Sequence, residues 1–143
     1  MREHMGLFRG KRTDNGEWVK GSLYIATLDN AGTISKHFRI QDITYGSDEN
    51  GFPDYMSGID EEVNPDTVGE CTGMTDKNGK LIFEGDILQD QNGVFYITHD
   101  EGTFKMKWSG HPHFRTWIRK SITTEQEIIG NIHDTPELIG GST

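Results

Sequence analysis

The sequence predicts a small, mainly β protein built as a barrel or sandwich of short strands. Its 143 residues suit one domain or two small β subdomains. Eighteen glycines against four prolines indicate many turns, and the 10% aromatic content supplies large side chains for a lean core. Turn signals recur along the chain, and no long segment has the 3.6-residue periodicity of an amphipathic helix. Together these features favour an all-β fold.

The first predicted element is a hairpin near the N-terminus. Residues 7–12 and 17–25 are rich in strand-forming side chains, and Asn15-Gly16 between them can adopt a tight turn. A break at residues 30–32 is followed by residues 33–45, whose composition is typical of a strand. We therefore expect at least three strands before residue 46.

Residues 46–66 are expected to form a solvated acidic loop. They include no Lys or Arg and seven acids, namely Asp48, Glu49, Asp54, Asp60, Glu61, Glu62 and Asp66. The other 16 acidic residues face 14 basic ones, so most of the net charge of −9 belongs to this segment. Because its acids repel one another and it has few apolar groups, we expect it to be dispensable for folding. A basic partner would be attracted to it.

Residues 72–90 form the central pattern of the chain. Asn78-Gly79 favours a tight reversal, the apolar run 81–83 follows, and Glu84-Gly85-Asp86 breaks the chain before residues 87–88 resume an extended pattern. A hairpin, a turn and a new strand are expected here. Glu84 and Asp86 are interpreted as turn residues, although two carboxylates could also act as an acid–base pair.

Two further strands are predicted at residues 94–98 and 103–108. In the second, Phe104, Met106 and Trp108 alternate with Thr103, Lys105 and Lys107, which predicts one buried and one wet face. Residues 109–116 are expected to form a loop around Pro112. Near the end, Thr135-Pro136-Glu137 predicts a short helical turn that stops at Gly140-Gly141.

Several classes of site are excluded by composition. Cys71 is the only cysteine, so neither an internal disulfide nor a Cys-based zinc site can form. The sequence has no Gly-x-Ser-x-Gly, no phosphate-binding Gly-rich motif and no calcium-loop spacing at residues 76–87. No signal peptide or long apolar run is apparent, so we expect a soluble intracellular protein. We expect no catalytic residues, no cofactor and no membrane partner.

Two weak candidate sites remain. His111 and His113 would share one face of a strand and could hold a metal, with His99, Asp100, His133 and Asp134 as possible third ligands. Pro112 between them favours an exposed loop instead. The other candidate is a set of aromatic and basic residues that could stack bases and bind phosphates. Its members are Lys105, Lys107, Trp108, Phe114, Arg115, Trp117, Arg119 and Lys120. The alternative is that Trp108 and Trp117 belong to the core and the charges form a wet strand face.

The order of the motifs resembles the YopX family of phage and prophage proteins. The matching segments are residues 8–12, 15–19, 65–69, 72–80, 82–87 and 128–138. This resemblance implies a mostly β protein with an SH3-like barrel in its C-terminal half. It also implies an accessory protein of phages that infect Gram-positive bacteria, placed in the host cytoplasm. It assigns no catalytic residue.

We therefore expect residues 1–143 to form one YopX-like unit, with residues 1–66 and 67–143 as two sub-parts. The first would hold β-hairpins and the acidic loop, and the second the SH3-like barrel and a short C-terminal helical turn. The expected function is non-enzymatic binding of a host or phage macromolecule, most simply a protein. The alternatives are single-stranded nucleic-acid binding through Lys105, Lys107, Trp108 and Arg115, and a metal-dependent hydrolase built on His111 and His113.

Overall fold

The computed structural model describes residues 6–42, 46–47, 50, 53–54, 59–109 and 111–140. Within these, the side chains of residues 46–47, 53–54, 59 and 111–115 lie outside the description. The described residues are mainly β, as predicted, with one short α-helix. Contacts divide the chain into two units, Gly6–Glu70 and Cys71–Thr143, which we take in turn.

The N-terminal unit is an antiparallel sheet of strand order β6-β3-β2-β1. Its strands are β1 (Phe8–Lys11), β2 (Trp18–Asn30), β3 (Thr33–Asp42) and β6 (Ile59–Glu62). Two short strands, β4 (Gly46–Ser47) and β5 (Pro53–Asp54), pair with each other. The start of β7 (Gly69–Thr75) pairs with β1.

The predicted first hairpin is confirmed. Lys11 pairs with Trp18 at its end, and the side chain of Asn15 accepts a hydrogen bond from the backbone N–H of Glu17 at 2.9 Å. Gly16 has a φ of 74°, which a side chain would resist. The local turn residues therefore determine where β1 and β2 reverse.

The expectation of a single acidic loop over residues 46–66 is wrong for its second half. Strand β6 pairs with β3, a 3-10 turn spans Pro65–Thr67, and Val63 is only 1% exposed. Val63 packs with Val19 and Ile40 in the core of this unit. Residues 48–49, 51–52 and 55–58 lie outside the described residues.

The acids of β6 contact basic side chains from other parts of the unit. Asp60 lies 2.9 Å from Arg39, and Glu62 lies 2.9 Å from His37. Glu61 lies 3.4 Å from Arg12. A count of charges along the sequence missed these contacts because the basic side chains are far from β6 in the chain.

The C-terminal unit contains a five-stranded antiparallel sheet of order β12-β11-β10-β9-β13. These strands are β9 (Asp86–Asp90), β10 (Gly93–Asp100), β11 (Thr103–Trp108), β12 (His111–Trp117) and β13 (Glu127–Asn131). Strand β8 (Leu81–Phe83) pairs with β7, and helix α1 (Lys120–Thr123) joins β12 to β13. The buried core side chains of this unit are Ile82, Leu88, Phe95, Ile97 and Met106.

This sheet is open, so the SH3-like barrel expected in the C-terminal half is not confirmed. A closed barrel requires hydrogen bonds between the first and last strands. Strand β12 pairs with β11 and β13 pairs with β9, and no pairing within the described part of the chain joins β12 to β13.

Two local expectations for this unit also have clear outcomes. The loop expected at residues 109–116 is wrong, because His111–Trp117 pairs with β11 as strand β12 despite Pro112. As an edge strand in this sheet, β12 tolerates a proline that a central strand would not. The C-terminal helical turn is confirmed as a 3-10 turn at Pro136–Ile139, which ends at Gly140 with a φ of 67°.

Replacing Gly79 by valine should lower the free energy of unfolding by roughly 1–3 kcal/mol. Gly79 has a φ of 81°, as its turn position predicts, and an added Cβ would meet no atom within 4 Å. The cost therefore comes from the backbone alone. Urea denaturation should show the loss for Gly79→Val, whereas Gly79→Asn, which tolerates positive φ, should lose much less. Equal urea midpoints for Gly79→Val and the wild type would contradict a turn that requires a positive φ at residue 79.

Candidate functional site

An apolar groove of about 520 Å³ lies on the C-terminal sheet. Strands β10 and β11 contribute Phe95, Met106 and Trp108, and α1 contributes Ile122. Phe95 and Met106 are buried and form the floor, while Trp108 and Ile122 are partly exposed walls. The remaining lining residues are Asp90, Asn92, Thr116, Ser121 and Glu125.

The register of the sheet brings the aromatic residues of the groove together. Phe95 lies opposite Trp108 across β10 and β11, so their side chains share one face. The two rings stack with centroids 6.2 Å apart. Gly93 leaves room for the indole, because a Cβ there would lie 2.6 Å from its Nε1 atom.

The lining of the groove includes two acidic residues. Asp90 and Glu125 both line it, and its described lining includes no Lys or Arg. The Asp90 carboxylate is held by the backbone N–H of Asn92 at 2.7 Å and the side-chain amide of Gln126 at 3.1 Å. Gln126 is fully buried, so this carboxylate has a fixed position. The site can thus offer an apolar floor and negative charge in its lining.

A second, smaller pocket of about 440 Å³ lies beside Lys105, Thr116, Trp117 and Arg119. Trp117 is 66% exposed, and Lys105 lies opposite it in the register of β11 and β12. The ammonium group of Lys105 is 2.9 Å from Glu101 and 2.9 Å from Asp100. Hydrogen bonds to these two carboxylates raise the Lys105 pKa. Its charge is therefore already compensated.

The structure divides the aromatic and basic residues that the sequence placed together between the two faces of the sheet. Trp108 shares the groove face with Phe95, whereas Lys105 and Lys107 point to the opposite face of β11 because side chains alternate along a strand. Trp117 lies on the face of the lysines. Arg115 lies opposite Lys107 in the backbone register, and its side chain and that of Phe114 are outside the described residues.

The histidine candidates are not brought into a common site by the described side chains. His99 stacks on Phe104 with centroids 4.5 Å apart, and the backbone N–H of His133 donates to Asn131. Within the described side chains, no three His, Cys, Asp or Glu residues are grouped so that they could hold a metal. The side chains of His111 and His113 lie outside the described residues.

Asp76 and Asp86, two of the acidic residues in the central turns, have structural partners. Asp76 is 2% exposed, and its carboxylate accepts hydrogen bonds from the backbone N–H groups of Asn78, Lys80 and Ile128 at 2.9, 3.0 and 3.0 Å. Burial acts to raise the Asp76 pKa, but these hydrogen bonds outweigh it and the pKa is lowered. Asp86, also buried, accepts from the backbone N–H of Phe83 at 2.8 Å. This contact agrees with the interpretation of Asp86 as a turn residue.

Sequence reasoning missed most of the groove. The alternation of β11 identified Met106 and Trp108 as one face, and Phe95 could have been added by aligning the neighbouring strand in period two. The sequence around Ile122 and Glu125 shows no periodic pattern that would assign these residues to the groove. They reach the groove because α1, a single helical turn too short to show periodicity, returns to the sheet.

The family assignment rests on nearly the whole chain. The family model described as YopX protein matches residues 7–140. The chain belongs to the YopX family. Among solved structures, this YopX-family chain is similar to protein EF1440 from Enterococcus faecalis, with 23% identity and a TM-score of 0.51. That match covers 92% of this chain and 96% of the other, and at this identity it shows the fold alone.

Two further observations complete the comparison. Among curated proteins, no sequence matches this YopX-family chain. In the described part of the chain, no helix has both the length and the apolar character needed to cross a membrane.

Proposed function

We propose that this chain is a non-enzymatic binding module that captures a short segment of a partner protein in the groove formed by Phe95, Met106, Trp108 and Ile122. The observation that carries the proposal is a buried apolar floor with an aromatic wall and two carboxylates in the lining. Buried aromatic anchor sites of this kind carry most of the free energy in peptide and protein recognition.

The composition of the groove selects the chemistry of the segment. An aromatic or large aliphatic side chain fits the floor, and an adjacent Lys or Arg would approach Asp90 and Glu125. The net charge of −9 would draw a basic segment toward the protein and would repel an acidic one. The partner class is therefore a basic, apolar peptide segment of a host or phage protein.

As the sequence resemblance implies, we place this binding in an accessory role for a phage or prophage inside a bacterial host. In that setting the protein acts by binding a host or phage macromolecule and does not catalyse a reaction. The described side chains support this view because their buried carboxylates, Asp76 and Asp86, are engaged by backbone N–H groups of turns.

Trp108→Ala should weaken the binding of a basic, Trp-containing peptide at least tenfold, because the stacked wall of the groove is lost. The probe is a fluorescein-labelled peptide with one Trp flanked by Lys residues, and anisotropy measures its affinity. The same peptide with Glu in place of Lys should bind more weakly to the wild type.

Trp117→Ala is the matched control, since it removes an exposed Trp from the other face of the same sheet. It should leave the peptide affinity unchanged. The NMR indole signal of Trp108, identified by its loss in Trp108→Ala, should move on peptide addition. Unchanged affinity in Trp108→Ala, or preference for the Glu peptide, would overturn the proposal.

A second candidate function is supported by the exposure of Trp117 beside the exposed side chain of Arg119. An exposed aromatic ring next to a cation can stack a base and hold a phosphate of single-stranded nucleic acid. An oligothymidylate titration distinguishes the two functions. Binding that is lost in Trp117→Ala and kept in Trp108→Ala would favour nucleic acid over a peptide.

A further inference from the structure

Strands β2 and β3 extend beyond the rest of the N-terminal sheet as a two-stranded arm. Strand β2 pairs with β1 only as far as Gly21, and β3 pairs with β6 only from Arg39 onward. Residues 25–30 of β2 pair with residues 33–38 of β3 to form this arm, and residues 22–24 of β2 pair with residues 39–41 of β3 at its base. In the described part of the chain, no strand covers the outer edge of β2 over residues 22–30.

The residues of β2 along this edge lack the features that usually protect an edge strand from pairing. Edge strands are normally guarded by Lys, Pro or a bulge. Residues 22–28, Ser-Leu-Tyr-Ile-Ala-Thr-Leu, contain no charge and no proline, and their pairing with β3 is regular. Leu28 is 56% exposed, and Ile25 and Tyr24 are also exposed. A two-stranded ribbon of this kind is marginally stable by itself in water.

We propose that this edge pairs antiparallel with the same edge of a second copy of the chain, about a two-fold axis at Ala26. In this register, Tyr24 of each copy lies opposite Leu28 of the other, so the two exposed apolar residues cover each other twice. Cross-strand pairs of an aromatic and an aliphatic side chain stabilise antiparallel sheets.

The charge distribution favours a second copy at this edge. Each chain has a net charge of −9, so most surfaces of two copies repel each other. Along residues 22–30 the only charge is Asp29, which this register places opposite Leu23 of the other copy and away from its own counterpart. The uncharged edge is therefore a place where two copies can approach.

The Tyr24 ring is held in place before association, because it reaches across β3 to β6 on one face of the sheet. Its hydroxyl donates to Asp60 at 2.7 Å and accepts from the Arg39 guanidinium at 3.2 Å. Asp60 and Arg39 also form an ion pair at 2.9 Å. A side chain held in place before association loses less conformational entropy when it is covered. Strand β6 thus stabilises the surface that β2 offers.

Sedimentation velocity of the full chain should show a dimer of the 16.2 kDa monomer at micromolar concentration. Ala26→Lys would place two lysines opposite each other at the axis and should weaken the dimer at least tenfold. Ser35→Lys is the control, because Ser35 lies on the other strand of the arm, opposite Leu28. It should leave the dimer unchanged. A monomeric wild type, or equal effects of both variants, would overturn the proposal.

Disulfide trapping tests the register independently of stability. Ala26→Cys should form a covalent dimer under mild oxidation, because the two new thiols meet at the axis. The single native cysteine, Cys71, is buried and provides the unmodified background. Ser35→Cys should stay uncrosslinked, and circular dichroism verifies that both variants fold. Covalent dimers from Ser35→Cys but not from Ala26→Cys would overturn the inference.

Discussion

Asp76→Ala is expected to lower the free energy of unfolding by roughly 2–4 kcal/mol. The nearly buried carboxylate accepts hydrogen bonds from three backbone N–H groups. Two of these groups lie in its own turn, and the third belongs to Ile128 in β13. Hydrogen bonds to a charged group contribute more than neutral ones, and buried donors left without a partner cost free energy. Alanine removes all three acceptor contacts at once.

Urea denaturation at neutral pH measures this loss, and Asp29→Ala provides the matched control. Asp29 also accepts a backbone hydrogen bond in a hairpin turn, from Gly32 at 3.0 Å, but it is exposed. Its replacement should cost at most about 1 kcal/mol. If the two alanine variants unfold at the same urea concentration, Asp76 does not tie the turn to β13.

The lowered pKa of Asp76 predicts how the stability of the fold depends on pH. Because its folded-state pKa lies below the ordinary value of 3.8, its ionised form stabilises the fold fully above that value. This contribution is lost as the pH falls below 3.8 through the folded-state pKa. Asp76→Asn should therefore show a shallower loss of stability between neutral and strongly acidic pH than the wild type.

Val63→Asp is expected to cost about 4 kcal/mol or more and to unfold the N-terminal unit. Val63 is almost completely buried between Val19 and Ile40. Space around it is limited, since a Cβ added at Gly10 would come within 3.0 Å of the Val63 Cβ. A carboxylate there would lose its hydration without any partner.

The control for this substitution is Ile34→Asp, at a site that is 66% exposed in the same unit. It should change the stability by about 0.5 kcal/mol or less. Far-UV circular dichroism with thermal melting, at a concentration that keeps the chain monomeric, compares the two variants. A Val63→Asp protein that melts with the wild type would mean that residues 59–67 are a dispensable loop after all.

The positions of the tight turns could be predicted from the sequence alone. Asn15-Gly16 and Asn78-Gly79 identify reversals because few residues other than glycine tolerate a positive φ, and the structure has both turns. The alternation in β11 likewise identifies the face that carries Met106 and Trp108, since the period of a strand is a local property. The mainly β class and the C-terminal turn follow from the same short-range rules.

Tertiary structure alone decided which distant segments meet. Asp60 and Glu62 look like loop acids in the sequence, yet they form an edge strand because Arg39 and His37 stand on β3, more than twenty residues away. Closure of the C-terminal sheet depends on where β12 and β13 end, which no local pattern specifies. The groove needs α1 to bring Ile122 into the same lining as Trp108. Turns and periodicity act over a few residues, whereas charge pairing, sheet edges and grooves depend on contacts between segments far apart in the chain.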